Sequence, residues 1–364
     1  AISDRDREIY GLPSRVGGLS IDNPAEGVAG KHADSVELTL PVQEAILAGG
    51  GRVDMTSLKR ARDAIRNRRE HAVEVRAKEV QDSLPKDCNG RDGKLCTALK
   101  VACEKGASVV FSVRPSEEHG FSFKAKRDYR DLLAMRYAKG VKGFPAICAC
   151  GKANSISHSQ QCVMGGFVGQ RHNEVANLWG YTCKKVYNDV GVEPELEELD
   201  SEEMERKTAN VTDEARSDVR VRGFWSNRRN AFFDFRVFYP FASSHYGRSL
   251  AAIYKSNSLE KKRQYQERVA QVEDGSFTPM VMSSAGGMGP EMTIAFKFLA
   301  ARLAEKEGGN YASTVGVLRT RFSFAAARSA LVCLRGSRAL FASRNYRRNV
   351  GDYDAPIALV ASGI

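Results

Sequence analysis

Four residues within a fifteen-residue stretch, Cys148-x-Cys150-x7-His158-x3-Cys162, bring three thiols and one imidazole together. Such soft and borderline donors at this spacing can wrap one tetrahedral zinc ion. Gly151, Gly165 and Gly166 bound the cluster and supply the turns that a small knuckle demands. Nothing marks an open coordination position, so the zinc is expected to be structural. The competing reading is a set of free cysteines beside an unrelated histidine, since a CxC pair is tighter than the usual CxxC. His172 is a rival ligand, although it belongs more naturally to the RHN run that follows.

A second group of residues suits a hard cation. Asp218 opens a run rich in β-branched and aromatic residues, DVRVRGF at 218–224, and Asp234 lies inside another, AFFDFRVFY at 231–239. Both runs read as strands, with SNRRN between them as a turn. Neighbouring strands would bring the two carboxylates to one edge of a sheet, within reach of Mg²⁺, which prefers oxygen ligands and in nucleases activates water. A charge at Asp234, flanked by Phe232, Phe233, Phe235 and Phe238, is costly unless paired or metal-bound. A salt bridge to Arg236 or Arg220 is the plain alternative. In the nuclease pattern PD-(D/E)xK a lysine follows the second carboxylate by two residues. Arg236 holds that place here, so Lys261 and Lys262 on the next helix are the substitutes for the group that neutralises the phosphate.

The elements that must position these groups form a mixed pattern. Residues 1–35 are rich in glycine and proline and suggest an irregular segment. Residues 56–84 read as a long charged helix with a narrow apolar stripe, and shorter helices are expected near 95–105 and 126–139, with SVVFSV at 108–113 as a strand between them. A helix over 172–189, an acidic loop or insertion over 193–205, a helix over 248–271, a third strand FTPMVMSS at 277–284 and two final helices near 291–306 and 313–341 complete the reading. GGMG at 286–289 is a turn rather than a phosphate loop, because no GK[ST] follows. Cys183 and Cys333 are expected to be buried small apolar residues.

The chain has 364 residues, 42% hydrophobic and 27% charged, with 55 Lys+Arg against 44 Asp+Glu and a net charge of +11. That composition excludes disordered and collagenous classes and favours polyanionic partners. Residues 311–364 hold eight arginines, Arg335 and Arg338 among them, against Asp352 and Asp354 alone, so contact with a nucleic-acid backbone is expected there. No apolar run approaches the roughly 18–20 residues of a membrane span, and the charged N-terminus lacks a signal-peptide core. An intracellular or nuclear protein is therefore expected, without membrane partners.

The order of these motifs resembles the C-terminal region of non-LTR retrotransposon polyproteins, which carry a zinc knuckle and a restriction-like endonuclease. The pieces are CACGKANSISHSQQC, GGFVGQRHNE, ARSDVRVRGFW, AFFDFRVF, EKKRQY and FTPMVMSSAGGMG, spanning about residues 145–290. GLPSRVGGLSI and SFAAARSALVCLRGSR also resemble segments of such reverse-transcriptase-like proteins. Ser217 stands where that family has a proline, and residues 193–213 form a long insertion.

The resemblance implies an α+β chain. A mostly helical linker over 1–145 would follow a polymerase missing from this sequence, which has no Tyr-x-Asp-Asp. A CCHC zinc knuckle would fill 146–170, a PD-(D/E)xK mixed sheet flanked by helices 171–306, and a basic C-terminal helix and tail 307–364. It further implies nicking of target DNA to prime reverse transcription, with template RNA as a further partner. Asp218 and Asp234 would hold Mg²⁺ and Lys261 would assist at the phosphate. Arg171, His172 and Asn173 would lie beside the site or on DNA. Glu174, on the same helix, is a candidate further carboxylate for the metal. The alternative is a catalytically inactive nucleic-acid-binding module.

Overall fold

The computed structural model describes residues 2–25, 27–85, 90–123, 125–197 and 215–336. The chain divides into two compact units, Ala1–Lys86 and Asp87–Ile364, so residues 87–145 fall with the later elements. No helix among the described residues is long and apolar enough to cross a membrane.

In the first unit, α1 (Asp4–Gly11) begins where the Ser3 side chain accepts the Asp6 amide, with Asp4 and Asp6 complementing the positive end of the helix. α2 (Val28–Leu47) packs beside α3 (Met55–Asp82). Asp54 caps α3 by accepting the Thr56 amide at 2.9 Å. Asp34 on α2 ties the pair together, bridging Arg68 at 2.5 Å and Arg69 at 2.6 Å. An irregular segment over 1–35 is thus a correction: only the stretch between α1 and α2 is irregular. The glycines and prolines that suggested it are concentrated there, whereas its flanks carry a cap and good helix formers.

The second unit is α+β. α4 (Gly90–Ala102), α5 (Lys126–Arg136), the short α6 (Ile156–Gln161) and α7 (Phe167–Lys184) precede the first strand. β1 (Val190–Val192), β2 (Val219–Arg222), β3 (Asn230–Phe238) and β4 (Ser276–Ser283) form one sheet in the order β1-β2-β3-β4. β1–β2 and β2–β3 are antiparallel and β3–β4 is parallel, with α8 (Leu250–Gln271) as the crossover that a parallel pair requires. Pro279 is tolerated because β4 is an edge strand. α9 (Pro290–Glu307) and α10 (Tyr311–Arg335) follow.

Strand periodicity sorts β3 into two faces. Ala231, Phe233, Phe235 and Val237 join Met280 and Met282 of β4 in the main core, with Trp179 of α7, Phe296 of α9 and Phe322 of α10. Trp179 is fully buried, its ring 5.3 Å from Phe233 and 6.4 Å from both Phe235 and Phe322. The opposite face of β3 packs at its ends, Phe232 with Val269 and Phe238 with Ile253 and Tyr254, all three from α8. Between these apolar contacts lie Asp234 and Arg236.

Two expectations are revised, and one strand was not foreseen. SVVFSV is not a strand: Val109–Phe111 is a 3-10 turn, because the Ser108 hydroxyl closes onto the Ala102 carbonyl at 2.6 Å and the Val110 amide donates to Ser323 Oγ of α10 at 3.3 Å. The acidic stretch from 193 opens directly after β1, a strand that its short run VGV concealed; residues 198–214 lie outside the described residues. The C-terminal helix is not a basic appendage but part of the core, burying Leu318, Phe322, Ala325, Ala326 and Cys333. Cys183 is fully buried as well. GGMG is a turn, and a Cβ at Gly287 would lie 2.4 Å from the largely buried carboxylate of Glu104, which would have to shift. Burial raises the Glu104 pKa, while the Ser283 hydroxyl beside it bonds the carboxylate at 3.0 Å.

Candidate metal centre and carboxylate pair

The cysteine cluster folds as a small hairpin followed by one short helix. The Cys148 amide donates to the Lys152 carbonyl at 2.9 Å and the Gly151 amide to the Cys148 carbonyl at 2.8 Å, with Gly151 at φ 81° where only glycine is unstrained. Ser155 caps α6 by accepting the His158 amide, and Cys162 lies at the other end of that helix. The ligand atoms of Cys148, Cys150, His158 and Cys162 all lie within 4.8 Å of one another. Bonds of about 2.3 Å to sulfur and about 2.0 Å to nitrogen place tetrahedral S···S and S···N pairs roughly 3.8 and 3.5 Å apart. Cys148 Sγ lies 3.9 Å from Cys162 Sγ, and Cys150 Sγ lies 3.3 Å from His158 Nε2. These residues could therefore hold a metal ion such as zinc. Burial pushes the Cys148 thiol up, whereas the Lys152 backbone amide draws the Cys150 thiol down.

Within the second unit, the knuckle is tied to α10, α7 and β3. Gln160 of α6 is buried and donates to the Ala330 carbonyl of α10 at 2.8 Å. Arg171 donates back to the Gln160 carbonyl at 3.0 Å and to the Val237 carbonyl of β3 at 3.4 Å. At 3% exposure, Arg171 is a tie between knuckle, helix and sheet rather than a residue on DNA.

One residue beyond the β2–β3 ladder, in which Val219 pairs with Phe233, the antiparallel register sets Asp218 opposite Asp234. Both oxygens of Asp218 are held: Oδ1 lies 2.8 Å from His172 Nε2 of α7, and Oδ2 accepts the Phe235 amide at 2.5 Å. Lys261 of α8 reaches across the sheet face and sets its Nζ 2.5 Å from Asp234 Oδ2. Asp234 is almost fully buried, and its pKa rises to about 6 because burial, and then the charge of Asp218, penalise its ionised form; Lys261 opposes both. The salt-bridge alternative for Asp234 is resolved in favour of Lys261: Arg220 pairs instead with Asp189 at 2.7 Å, and Arg236 is exposed. Ser217, buried, anchors the entry to β2 by donating its hydroxyl to the Phe233 carbonyl at 3.1 Å.

The other candidates go elsewhere. Lys262, one step round α8 from Lys261, pairs with Glu291 of α9 at 3.0 Å. Glu174 lies two residues from His172, roughly 200° round the helix. It faces α10, where Arg328 lies 3.8 Å away, so it does not join Asp218 and Asp234. Asn173 is exposed beside His172. Arg335 donates to Asp131 at 2.7 Å and to the Gly143 and Lys142 carbonyls, which makes it a staple between α10 and α5. Arg338 lies outside the described residues. The feature that sequence reasoning missed is the His172–Asp218 contact: 46 residues separate the partners, and no local pattern links them.

The chain matches no protein-family model, and a search of curated proteins finds no match.

Proposed function

We propose that the protein is a Mg²⁺-dependent endonuclease that nicks target DNA, the restriction-like nuclease portion of a retrotransposon polyprotein acting in target-primed reverse transcription. One observation carries this reading: Asp218 at the entry to β2, Asp234 of β3, Lys261 of α8 and His172 of α7 converge around the β2–β3 pair of a mixed sheet flanked by helices. A buried carboxylate such as Asp234, its pKa raised by burial and by a neighbouring charge, is a functional-site candidate. Asp218 and Asp234 would hold Mg²⁺, which supplies a polarised water and neutralises charge on the phosphate. The chain's own residues do the rest. His172 and the Phe235 amide fix the orientation of Asp218, and the Lys261 ammonium offers positive charge to the phosphate oxygens as they gain charge. The Cys148, Cys150, His158 and Cys162 cluster would bind a structural zinc that braces the start of α7. DNA is the substrate, template RNA a further partner, and an intracellular or nuclear setting follows from that role.

The test is nicking of supercoiled plasmid in Mg²⁺ by wild type, Asp234→Ala and Lys261→Met. Loss of roughly 10²–10³-fold or more in each variant is expected for a site built on charge stabilisation. Equal nicking by all three would sink the site. Absence of nicking by wild type, with DNA binding intact, would favour the alternative of a catalytically inactive nucleic-acid-binding module.

A further inference from the structure

The first unit carries a groove of about 500 Å³ between α2 and α3, outside every motif discussed above. Arg15, Arg62, Arg66 and Arg69 line it, with Asp34 and Glu70 as its acids. Asp34 is engaged, accepting from Arg68 and Arg69, whose guanidiniums hold its carboxyl below the usual range. Arg66 pairs with Asp63 at 3.1 Å on an exposed surface, a contact of little energy. Among the described residues no carboxylate pairs with Arg15 or Arg62, and both are exposed. The groove therefore offers guanidinium forks to an anion, and Asp34 presets the position of one of them.

The spacing identifies the anion. Arg62, Arg66 and Arg69 advance along one side of α3 over roughly 10 Å, at about 1.5 Å rise per residue. A free phosphate would use one guanidinium and leave the row idle. One strand of a duplex presents a phosphate about every 3.4 Å of axis, so the row spans about three phosphate-to-phosphate steps. Guanidinium forks suit phosphate oxygens in a bidentate manner. We propose that this groove binds the phosphodiester backbone of a nucleic acid. The inference shares with the proposed function only that nucleic acid is handled, and it needs nothing from the carboxylate pair.

The test is fluorescence anisotropy of the full chain with labelled duplex DNA and with single-stranded RNA, in buffer with no added Mg²⁺ and no chelator, on an Asp234→Asn background so that cutting plays no part. Arg15→Gln/Arg62→Gln removes two groove charges; Arg60→Gln/Lys78→Gln removes two charges from α3 outside the groove. The groove pair is expected to flatten the slope of log K against log salt by about 1.8, from roughly 0.9 per lost phosphate contact, and the control pair to leave it near wild type. Glu70→Gln is expected to tighten binding. The duplex and RNA arms tell which backbone is preferred; a groove-dependent slope in either supports the proposal. Equal effects of the two pairs would overturn it. So would displacement of the probe by inorganic phosphate at matched phosphate concentration, or by polyglutamate as effectively as by nucleic acid.

Discussion

Replacing Asp234 with asparagine removes a buried charge that the fold stabilises only in part. In the folded protein its pKa is about 6 against an ordinary 3.8, raised by burial and by the charge of Asp218. Because the folded value lies above the unfolded one, the native state binds the proton more tightly. Its contribution is fully present below about pH 4 and is lost as pH rises through 6. The difference of roughly 2 units corresponds to about 3 kcal/mol at about 1.36 kcal/mol per unit. In Asp234→Asn this dependence vanishes; the pull of Lys261 on the ionised carboxylate is already contained in the folded pKa, so losing that pair adds no further slope. Chemical denaturation of both proteins without divalent ions is the assay. The stability of the variant minus that of wild type should rise by about 3 kcal/mol between about pH 4 and pH 7.5. Adding Mg²⁺ to about 100 times its Kd should return about 2.7 kcal/mol to wild type at the upper pH and nothing to the variant. Parallel pH profiles would refute the buried pair; absence of a Mg²⁺ effect would refute its role as a cation site.

Purified under non-chelating conditions, the protein should carry about one zinc per chain, measured by mass spectrometry of the metal. Cys150→Ser or a chelator should remove it and lower the melting temperature, since a structural site contributes directly to folding. Lys262→Ala breaks a partly exposed pair with Glu291. It should cost within about 1 kcal/mol and leave nicking unchanged, in contrast to Lys261→Met; equal loss in both would exchange their assignments. Gly287→Ala drives a Cβ toward the Glu104 carboxylate. A loss of about 1–3 kcal/mol in denaturant titration is expected, and a neutral result would mean that Glu104 moves freely.

The parts of the fold legible in the sequence are those with a local signal. The two phenylalanine- and valine-rich runs became β2 and β3 because their alternation matches a pleat, and the Cys/His spacing converged because its ligands are neighbours in the chain. Asp218 and Asp234 met because consecutive strands pair. What failed to show was set by distant partners. SVVFSV has strand-like residues, yet a strand needs a ladder, and packing on α10 turned it into a 3-10 turn. The arginines of α10 look like a nucleic-acid face in a linear count, yet Arg328 and Arg335 are engaged by Glu174 and Asp131. Lys261 and Lys262 are adjacent in sequence, so only the rotation of α8 against the sheet separates the one at Asp234 from the one at Glu291.

The ion pair between Lys261 and Asp234 has a consequence for how the site would be loaded. An internal ammonium already offsets one of the two carboxylates, so the chain can fold, travel and be stored with this site empty of divalent metal. The same offset leaves only about one net negative charge to attract a dication. Under the proposed function, Mg²⁺ would therefore be held loosely and exchange fast, and its occupancy would follow the free Mg²⁺ concentration around the protein. A phosphate arriving with its own counter-ions would draw the Lys261 ammonium toward itself and free Asp234 at that moment. Cation and substrate would thus enter together, and the resting protein would carry no armed nuclease.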